Sequence, residues 1–238
     1  MKKTLCAILC YNNKKTILKI IEEQKKLKKD FDVIFINDGS SDNTMEILQS
    51  FKYKVINHKK NLGYGQAVKS AFKYARKKNY SFLAIFPADN QRYTDDLIKM
   101  KKIIEKYSFD LILGSKYELL ERIPLHRKLG NVFFSLIARI IWNCRIKDVL
   151  SGFKIYKINS FYKYINILPN DYSFDIVLSQ IVSFNKMKFK ELSVKCRYNQ
   201  NTTSMKGIFI IHKKNIIYVG LRMIIDSLNF YFKFRNYN

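Results

Sequence analysis

The 238-residue chain has only four cysteines, Cys6, Cys10, Cys144 and Cys196, and no Cys-x-x-Cys pair among them. Its three histidines lie far apart, so a zinc site is not expected, and the thiols fit a reducing cytosol. Cys6 and Cys10 share one face of a strand-like segment as small core residues. No uninterrupted apolar run approaches the ~20 residues needed to span a bilayer. Met1-Lys2-Lys3 leads into an apolar segment that ends by Tyr11, without the small-residue cleavage site of a secretory signal. The expectation is a chain that is soluble or membrane-associated rather than spanning. Repeats and low-complexity segments are absent. Acidic residues are scarce, 19 against 44 Lys and Arg, which leaves a formal charge of +25. A purely structural surface does not need that excess. It implies an anionic partner: nucleic acid, a membrane surface or a phosphorylated substrate.

What is present suffices for a core. Hydrophobic residues make up 47%, with 18 Phe and 16 Tyr, which suits one large domain, or one domain with a C-terminal appendage. Thr4 to Cys10 reads as a buried strand. After Tyr11-Asn12-Asn13 comes a basic helix from about Lys14 to Leu27, with Ile17, Ile20, Ile21 and Leu27 on its inner face. The unit repeats: Phe31 to Ile36 is a strand, and the polar turn Asn37 to Thr44 caps a helix running to about Phe51. Tyr53 to Asn57 is a third strand, Gln66 to Lys77 a helix, and Phe82 to Phe86 a fourth strand. A helix from Asp95 to Glu105, N-capped by Thr94, and a strand from Asp110 to Leu113 continue the series. This alternation predicts an α/β fold with a parallel sheet and right-handed crossovers.

After Gly114 the pattern changes. Lys116 to Arg127 reads as a charged loop, Asn131 to Trp142 as an apolar helix, and Asp148 to Lys154 as a turn and short strand. Phe174 to Phe184 is a helix and Phe189 to Tyr198 a strand. Ile208 to Phe232 carries Ile217, Leu221, Ile224, Leu228 and Tyr231 at helical spacing, with Lys213, Lys214, Arg222, Lys233 and Arg235 around it. It reads as an interfacial helix or docking surface, or as a helix packed on the domain's own core.

The stretch that carries chemistry is Phe82 to Gln91. Its apolar run has no helical period, so it is a strand buried on both faces, and Pro87 takes the chain out of the ladder. Asp89 therefore stands at a strand's carboxyl end, where open α/β sheets bind ligands. A carboxylate oxygen with an amide oxygen at Gln91 suits Mg²⁺ or Mn²⁺ holding a diphosphate; the competing reading is an aspartate that caps a turn.

Several of these turns together resemble the inverting glycosyltransferases of family 2. Their GT-A fold is a Rossmann-like, mostly parallel central sheet flanked by helices. Cys10-Tyr11-Asn12-Asn13 resembles the family's Pro-x-Tyr-Asn-Glu start, and Asn37-Asp38-Gly39-Ser40-Ser41-Asp42-Asn43-Thr44 its Asp-Asp-Gly-Ser-x-Asp-x-Thr turn. Asn61-Leu62-Gly63-Tyr64-Gly65-Gln66-Ala67 resembles the Asn-x-Gly-x-x-x-Ala helix opening, and Ala88-Asp89-Asn90-Gln91 the Asp-x-Asp-Gly-Gln metal loop. The branch of dolichol-phosphate mannose synthases and bacterial polyprenyl-phosphate sugar transferases supplies the later matches. These are Gly114-Ser115-Lys116, Arg127 before Asn131, Asp148-x-x-Ser151-Gly152-Phe153-Lys154, and Arg197 with Ser204-x-Lys206. The motifs cover residues 4–206 in family order.

The resemblance implies a GT-A glycosyltransferase domain over 1–206 and a C-terminal amphipathic helix, membrane-associated or not, over 207–238. It implies that Asp89, with Gln91, holds Mg²⁺ or Mn²⁺, and that Cys10, Tyr11, Asn13, Asp38, Gly65 and Lys69 surround a nucleotide-diphosphate sugar together with Asp89. Lys69 also reads as a solvated helix lysine. Lys116, Arg127, Ser151, Lys154, Arg197 and Lys206 fall around the acceptor. Asp89, Arg127, Asp148 and Asp175 are the catalytic candidates. A metal and basic side chains would neutralise the charge that grows on the leaving diphosphate. Pro87, Asn90, Asn37, Cys10 and Asn13 depart from the family pattern. Losing carboxylates at 13, 37 and 87 predicts weaker metal affinity or a metal held mainly by the diphosphate and Asp89; a degenerate, non-catalytic nucleotide-sugar-binding protein is the further alternative.

Two acceptors remain open on this reading. A saccharide hydroxyl, as in cell-surface polysaccharide or glycolipid synthesis, needs a carboxylate base, for which Asp148 and Asp175 are available. A polyprenyl phosphate is already anionic and needs cations instead, which favours it. The chain would then work on the inner, cytoplasmic face of the cell membrane as a peripheral protein on anionic lipid, in cell-envelope biosynthesis. Nucleic acid is not expected as a partner, because the basic residues spread over every helix without a recognition motif. A dinucleotide-binding dehydrogenase would need glycines after the first strand, and Cys10-Tyr11-Asn12-Asn13 has none.

Overall fold

Strands β1 (Thr4–Cys10), β2 (Asp32–Asn37), β3 (Val55–Asn57), β4 (Phe82–Pro87), β5 (Leu111–Ser115), β6 (Lys154–Lys157) and β7 (Phe189–Ser193) form one sheet in a computed structural model of the chain. The structure describes residues 3–116, 125–197 and 216–235. Strand order is β3-β2-β1-β4-β6-β5-β7. All neighbours run parallel except β6, which is antiparallel to both β4 and β5. The sheet is therefore mostly parallel. The sequence order reverses between β1 and β4, which is where such sheets open a crevice.

Eight helices accompany the strands among the described residues: α1 (Ile17–Gln24), α2 (Thr44–Ser50), α3 (Tyr64–Lys77), α4 (Thr94–Tyr107), α5 (Leu125–Trp142), α6 (Ile158–Phe161), α7 (Ser173–Phe184) and α8 (Ile216–Arg235). Alternate strand residues divide the core into two layers. On one face Cys6, Ile8, Cys10, Ala84 and Phe86 meet Ile17, Ile20 and Ile21 of α1 and Leu97, Met100 and Ile104 of α4. On the other, Leu5, Ala7, Leu83 and Ile85 meet Ala67, Val68, Ala71 and Phe72 of α3, with α5 and α7 beyond. The helix α7 is buried from Ser173 to Val182, because α5 and α8 cover it. Trp142 Nε1 donates to Ser179 Oγ at 3.3 Å, and Gln180 Nε2 donates to the Ser227 carbonyl at 2.8 Å.

Several boundaries differ from the sequence reading. The first helix is shorter, ending at Gln24 in a 3₁₀ turn over Lys25–Leu27. Thr94 is not an N-cap: α4 starts at Thr94 itself, and Tyr93 before it makes no side-chain cap bond. The acids Asp95 and Asp96 supply the favourable charge of that first turn. The apolar helix expected from Asn131 begins at Leu125. In the C-terminal helix the inward positions are Met223 and Ser227, while Leu221 is 54% exposed; a periodic set of apolar residues does not say which edge of the stripe meets the core. With Ile225 and Phe232, Leu221 leaves an outer apolar face beside that of α5, where Phe133, Leu136 and Ile140 are exposed.

Candidate active site

The loops that leave β1 and β2 are stitched to each other. Asp38 N–H donates to the Cys10 carbonyl at 2.9 Å, Asn12 Oδ1 accepts from Ser41 N–H at 2.8 Å, and Asn13 N–H donates to Thr44 Oγ1 at 2.8 Å. Asn13 Oδ1 also accepts from Tyr11 N–H at 2.8 Å, so its amide organises the Tyr11 turn. Cys10 lends this region only its backbone. Its thiol sits in the core, pushed up by burial and by Asp42.

Asp38 has its oxygens filled from within the protein. Oδ1 accepts from Leu62 N–H at 3.0 Å and meets His58 Nδ1 at 2.6 Å, and Oδ2 accepts from Gly63 N–H at 2.9 Å. The other nitrogen of His58 lies 2.9 Å from Ser70 Oγ. Asp38 thus ties the 58–63 loop down over Gly39, whose φ of +65° lets the backbone pass; a Cβ there would stand 2.2 Å from the Lys60 carbonyl carbon. Gly65 has a comparable packing role, since a Cβ on it would meet the Pro169 carbonyl oxygen at 2.3 Å. Lys69 points the same way, donating to Asn170 Oδ1 at 2.7 Å, and burial and Lys73 lower its pKa. Tyr172 stacks on Tyr64 with ring centres 6.0 Å apart. Partial burial, followed by the nearby Asp38, Tyr11 and Asp89, holds its phenol above the usual range. The same phenol thus feels both aspartates.

Asp89 stands where β4 ends, 8% exposed, with Oδ1 accepting the Gln91 N–H at 3.0 Å. Its other oxygen has no hydrogen-bond partner among the described residues. The loop is braced from outside: Arg197 Nη1 donates to Asn90 Oδ1 at 2.8 Å, its N–H to the Gln91 carbonyl at 3.0 Å, and its Nη2 lies 2.7 Å from Glu23 Oε1. Arg197, placed by the sequence among the acceptor cations, therefore spends its charge on Glu23 and shapes the 89–91 loop. Among the described residues no three His, Cys, Asp or Glu side chains converge on a preformed metal site. One open carboxylate oxygen with one amide nevertheless fits Mg²⁺ or Mn²⁺ of the kind that keeps its waters and arrives with phosphate oxygens.

The antiparallel course of β6 brings the third group of residues here. Lys154 pairs with Ile85 and with Leu113, so the preceding Ser151-Gly152-Phe153 lies at the carboxyl ends of β4 and β5. Ser151 Oγ donates to the Gly114 carbonyl at 2.7 Å. Asp148, 1% exposed, accepts the Lys116 N–H at 2.9 Å, while its own N–H goes to Glu191 Oε1 at 2.9 Å. Burial and then Arg92 lower the Lys116 pKa, against the opposite pull of Asp148, Cys196 and Asp89. Lys154 does not face an acceptor. Its Nζ donates to Asp175 Oδ1 at 2.6 Å and to the Ser151 carbonyl, and the pair is buried. Burial raises the Asp175 pKa, with Lys154 pulling it back. Arg127 belongs to the first turn of α5, but its side chain lies outside the described residues, as does Lys206 altogether.

Sequence reasoning missed His58, Tyr172, Glu23 and Arg92. Only Arg92 carried a signal, its place directly after Gln91. His58, Glu23 and Tyr172 come from segments with no motif, and the fold alone brings them in.

Comparison with known proteins agrees with this architecture. The family model of Glycosyl transferase family 2 matches residues 6–165. An uncharacterised protein of Methanocaldococcus jannaschii is 32% identical over 167 residues, covering 64% of this chain and 71% of that protein. A UDP-N-acetylglucosamine–dolichyl-phosphate N-acetylglucosaminyltransferase of Methanococcus voltae is 24% identical over 233 residues, covering 90% and 81%. Among solved structures, glucosyl-3-phosphoglycerate synthase of Mycobacterium tuberculosis in complex with Mn²⁺, UDP and glucosyl-3-phosphoglycerate superposes with a TM-score of 0.68 at 15% identity, over 96% of this chain and 80% of that one.

Proposed function

The chain belongs to glycosyl transferase family 2, and from that premise we propose that it moves a sugar, with inversion, from a nucleotide-diphosphate sugar to a polyprenyl phosphate. One observation carries the choice of acceptor. The two carboxylates available as a base for a sugar hydroxyl are both engaged: Asp175 by Lys154, and Asp148, 1% exposed, by the Lys116 N–H. A hydroxyl needs such a base, whereas a phosphate oxygen is already anionic near neutral pH. Lys116 beside Asp89 suits the anionic acceptor. The Methanococcus relative acts on dolichyl phosphate, which supports the same reading.

In this reading Asp89 and Gln91 hold the donor's diphosphate through Mg²⁺ or Mn²⁺, which when bound neutralises charge on the leaving group. Tyr11, Asn13 and Tyr172 line the nucleoside side, with Asp38 keeping the 58–63 loop in place. Arg127, Lys116, Ser151 and Lys206 are the acceptor side. No described helix is long and apolar enough to cross a membrane. The outer faces of α5 and α8 rest on anionic lipid at the cytoplasmic surface, with the segment 207–238 as an amphipathic appendage; Arg139, Arg145 and Lys147 beside Leu136 supply the charge.

The test is incubation of the purified chain with radiolabelled nucleotide sugars, Mn²⁺ and either a polyprenyl phosphate or a soluble oligosaccharide. An acid-labile glycosyl-phosphate lipid is the expected product. Transfer to the oligosaccharide alone, dependent on Asp148 or Asp175, establishes the saccharide hydroxyl instead.

A further inference from the structure

Arg92 carries a charge that the fold leaves unanswered. It is 4% exposed, its guanidinium lies 5.4 Å from the centre of the Phe153 ring, and Nη1 is buried with no hydrogen-bond partner among the described residues. Among the described residues no carboxylate forms an ion pair with it: Glu23 turns Oε1 to Arg197 and leaves Oε2 without a hydrogen bond, and Asp175 pairs with Lys154. An arginine cannot shed its proton, so an unpaired buried guanidinium is a standing cost until an anion reaches it.

Its position says which anion. Arg92 follows Asp89 in the same loop. The Phe153 ring it covers is also pressed against the end of β5, since a Cβ on Gly114 would stand 2.4 Å from Phe153 Cδ1. Arg92 and the Gly114-Ser115-Lys116 run therefore flank one ring, near the open carboxylate oxygen of Asp89. Two cations held together beside a single open carboxylate repel each other. A phosphate relieves them, and the planar N–H fork of arginine matches its oxygens. Stacking on Phe153 alone would leave Nη1 unsatisfied.

We propose that Arg92 is a phosphate-binding residue of this site, closing with Lys116 on a phosphate oxygen beside Asp89. The inference rests on the transferase reading above, in which both the donor's diphosphate and the acceptor's monophosphate carry that chemistry.

The experiment titrates the full chain, Arg92→Met and Arg92→Lys with inorganic pyrophosphate plus Mg²⁺ and, separately, with farnesyl phosphate, alongside thermal unfolding without either. Arg92→Met is expected to bind at least one probe tenfold more weakly while unfolding at an equal or higher temperature, because an unpaired buried charge is gone. Arg92→Lys should recover part of the affinity. Loss for pyrophosphate alone assigns Arg92 to the donor, loss for farnesyl phosphate alone to the acceptor, and loss for both to a contact they share. Unchanged affinity for both probes overturns the proposal, as does a wild-type chain that binds neither. If Arg92→Met does not fold, Arg92→Gln takes its place in the same titration. Neither probe turns over, so a chain that fails to glycosylate polyprenyl phosphate refutes the proposed function while Arg92 is still judged on its own binding.

Discussion

Lys154 Nζ and Asp175 Oδ1 stand 2.6 Å apart with side chains only 1% and 7% exposed, so a lysine and an aspartate that both read as reactive from the sequence cancel each other inside the fold. The pair joins the start of β6 to the first turn of α7 and also meets the Tyr64 hydroxyl, 3.4 Å from the same oxygen. It ties β6, α7 and Tyr64 together and is neither a free acid nor a free cation.

Breaking it should be expensive. Asp175→Asn leaves a buried ammonium without its counter-charge and is expected to cost about 3–5 kcal/mol in denaturant unfolding, whereas Lys154→Met with Asp175→Leu should recover most of that loss. A cost under ~1 kcal/mol for Asp175→Asn, the range of exposed pairs, would show that the pair is not structural.

Asp89→Ala should abolish transfer while leaving the unfolding midpoint nearly unchanged, because the carboxylate's Oδ1 bond to Gln91 N–H is local. With one carboxylate, Mn²⁺ should bind the free chain weakly and tighten when a nucleoside diphosphate is added, as calorimetry would register. Near-native turnover in Asp89→Ala refutes the assignment.

Lys116 predicts an alkaline limb. Burial and then Arg92 hold its ammonium below the usual lysine value, so the cation is present only below that lowered pKa and phosphate binding should weaken as pH rises through it, before the ordinary value near 10.4. Lys116→Arg should move this limb upward, since arginine stays charged. Superimposable profiles for the two proteins would exclude Lys116 from the binding step.

The exposed apolar residues of α5 and α8 predict salt-sensitive adsorption to anionic vesicles. Ile140 is 72% exposed and Ile225 56%, so changing both to Glu should weaken adsorption with stability changes within about 0.5 kcal/mol. Equal vesicle binding by the variant would mean that these faces serve another surface.

The strands and helices up to β5 were legible because a buried run and a helical stripe have different periods, and Asp38 and Asp89 were legible because each follows such a run. The insertion of β6 between β4 and β5 was not. A four-residue strand that runs antiparallel to both its neighbours has no signature in a strand–helix alternation, yet it and the turn before it bring Lys154 and Ser151 here. Side-chain roles were less legible than positions. Nothing near Lys154 in sequence announces Asp175, and nothing near Asp38 announces that His58 and the 62–63 amides will occupy its oxygens. Matched motifs told which loops meet; the pairing of charges within them was settled by packing at long sequence separation.

Arg127 offers the sharpest separation of donor from acceptor. It sits in the first turn of α5, ahead of the exposed Phe133, Leu136 and Ile140, so a lipid lying along that helix would bring its phosphate to the helix's amino end. A helix amino terminus already favours an anion. If Arg127 is the acceptor's counter-charge, as proposed above, Arg127→Ala leaves the donor site untouched. The expected result is a polyprenyl-phosphate KM raised tenfold or more, or transfer lost, with the dissociation constant of the nucleotide sugar within about twofold of wild type. Weakened nucleotide binding with an unchanged acceptor KM would move Arg127 to the donor side. An effect on neither would remove Arg127 from the site and leave the acceptor phosphate to the other residues proposed for it.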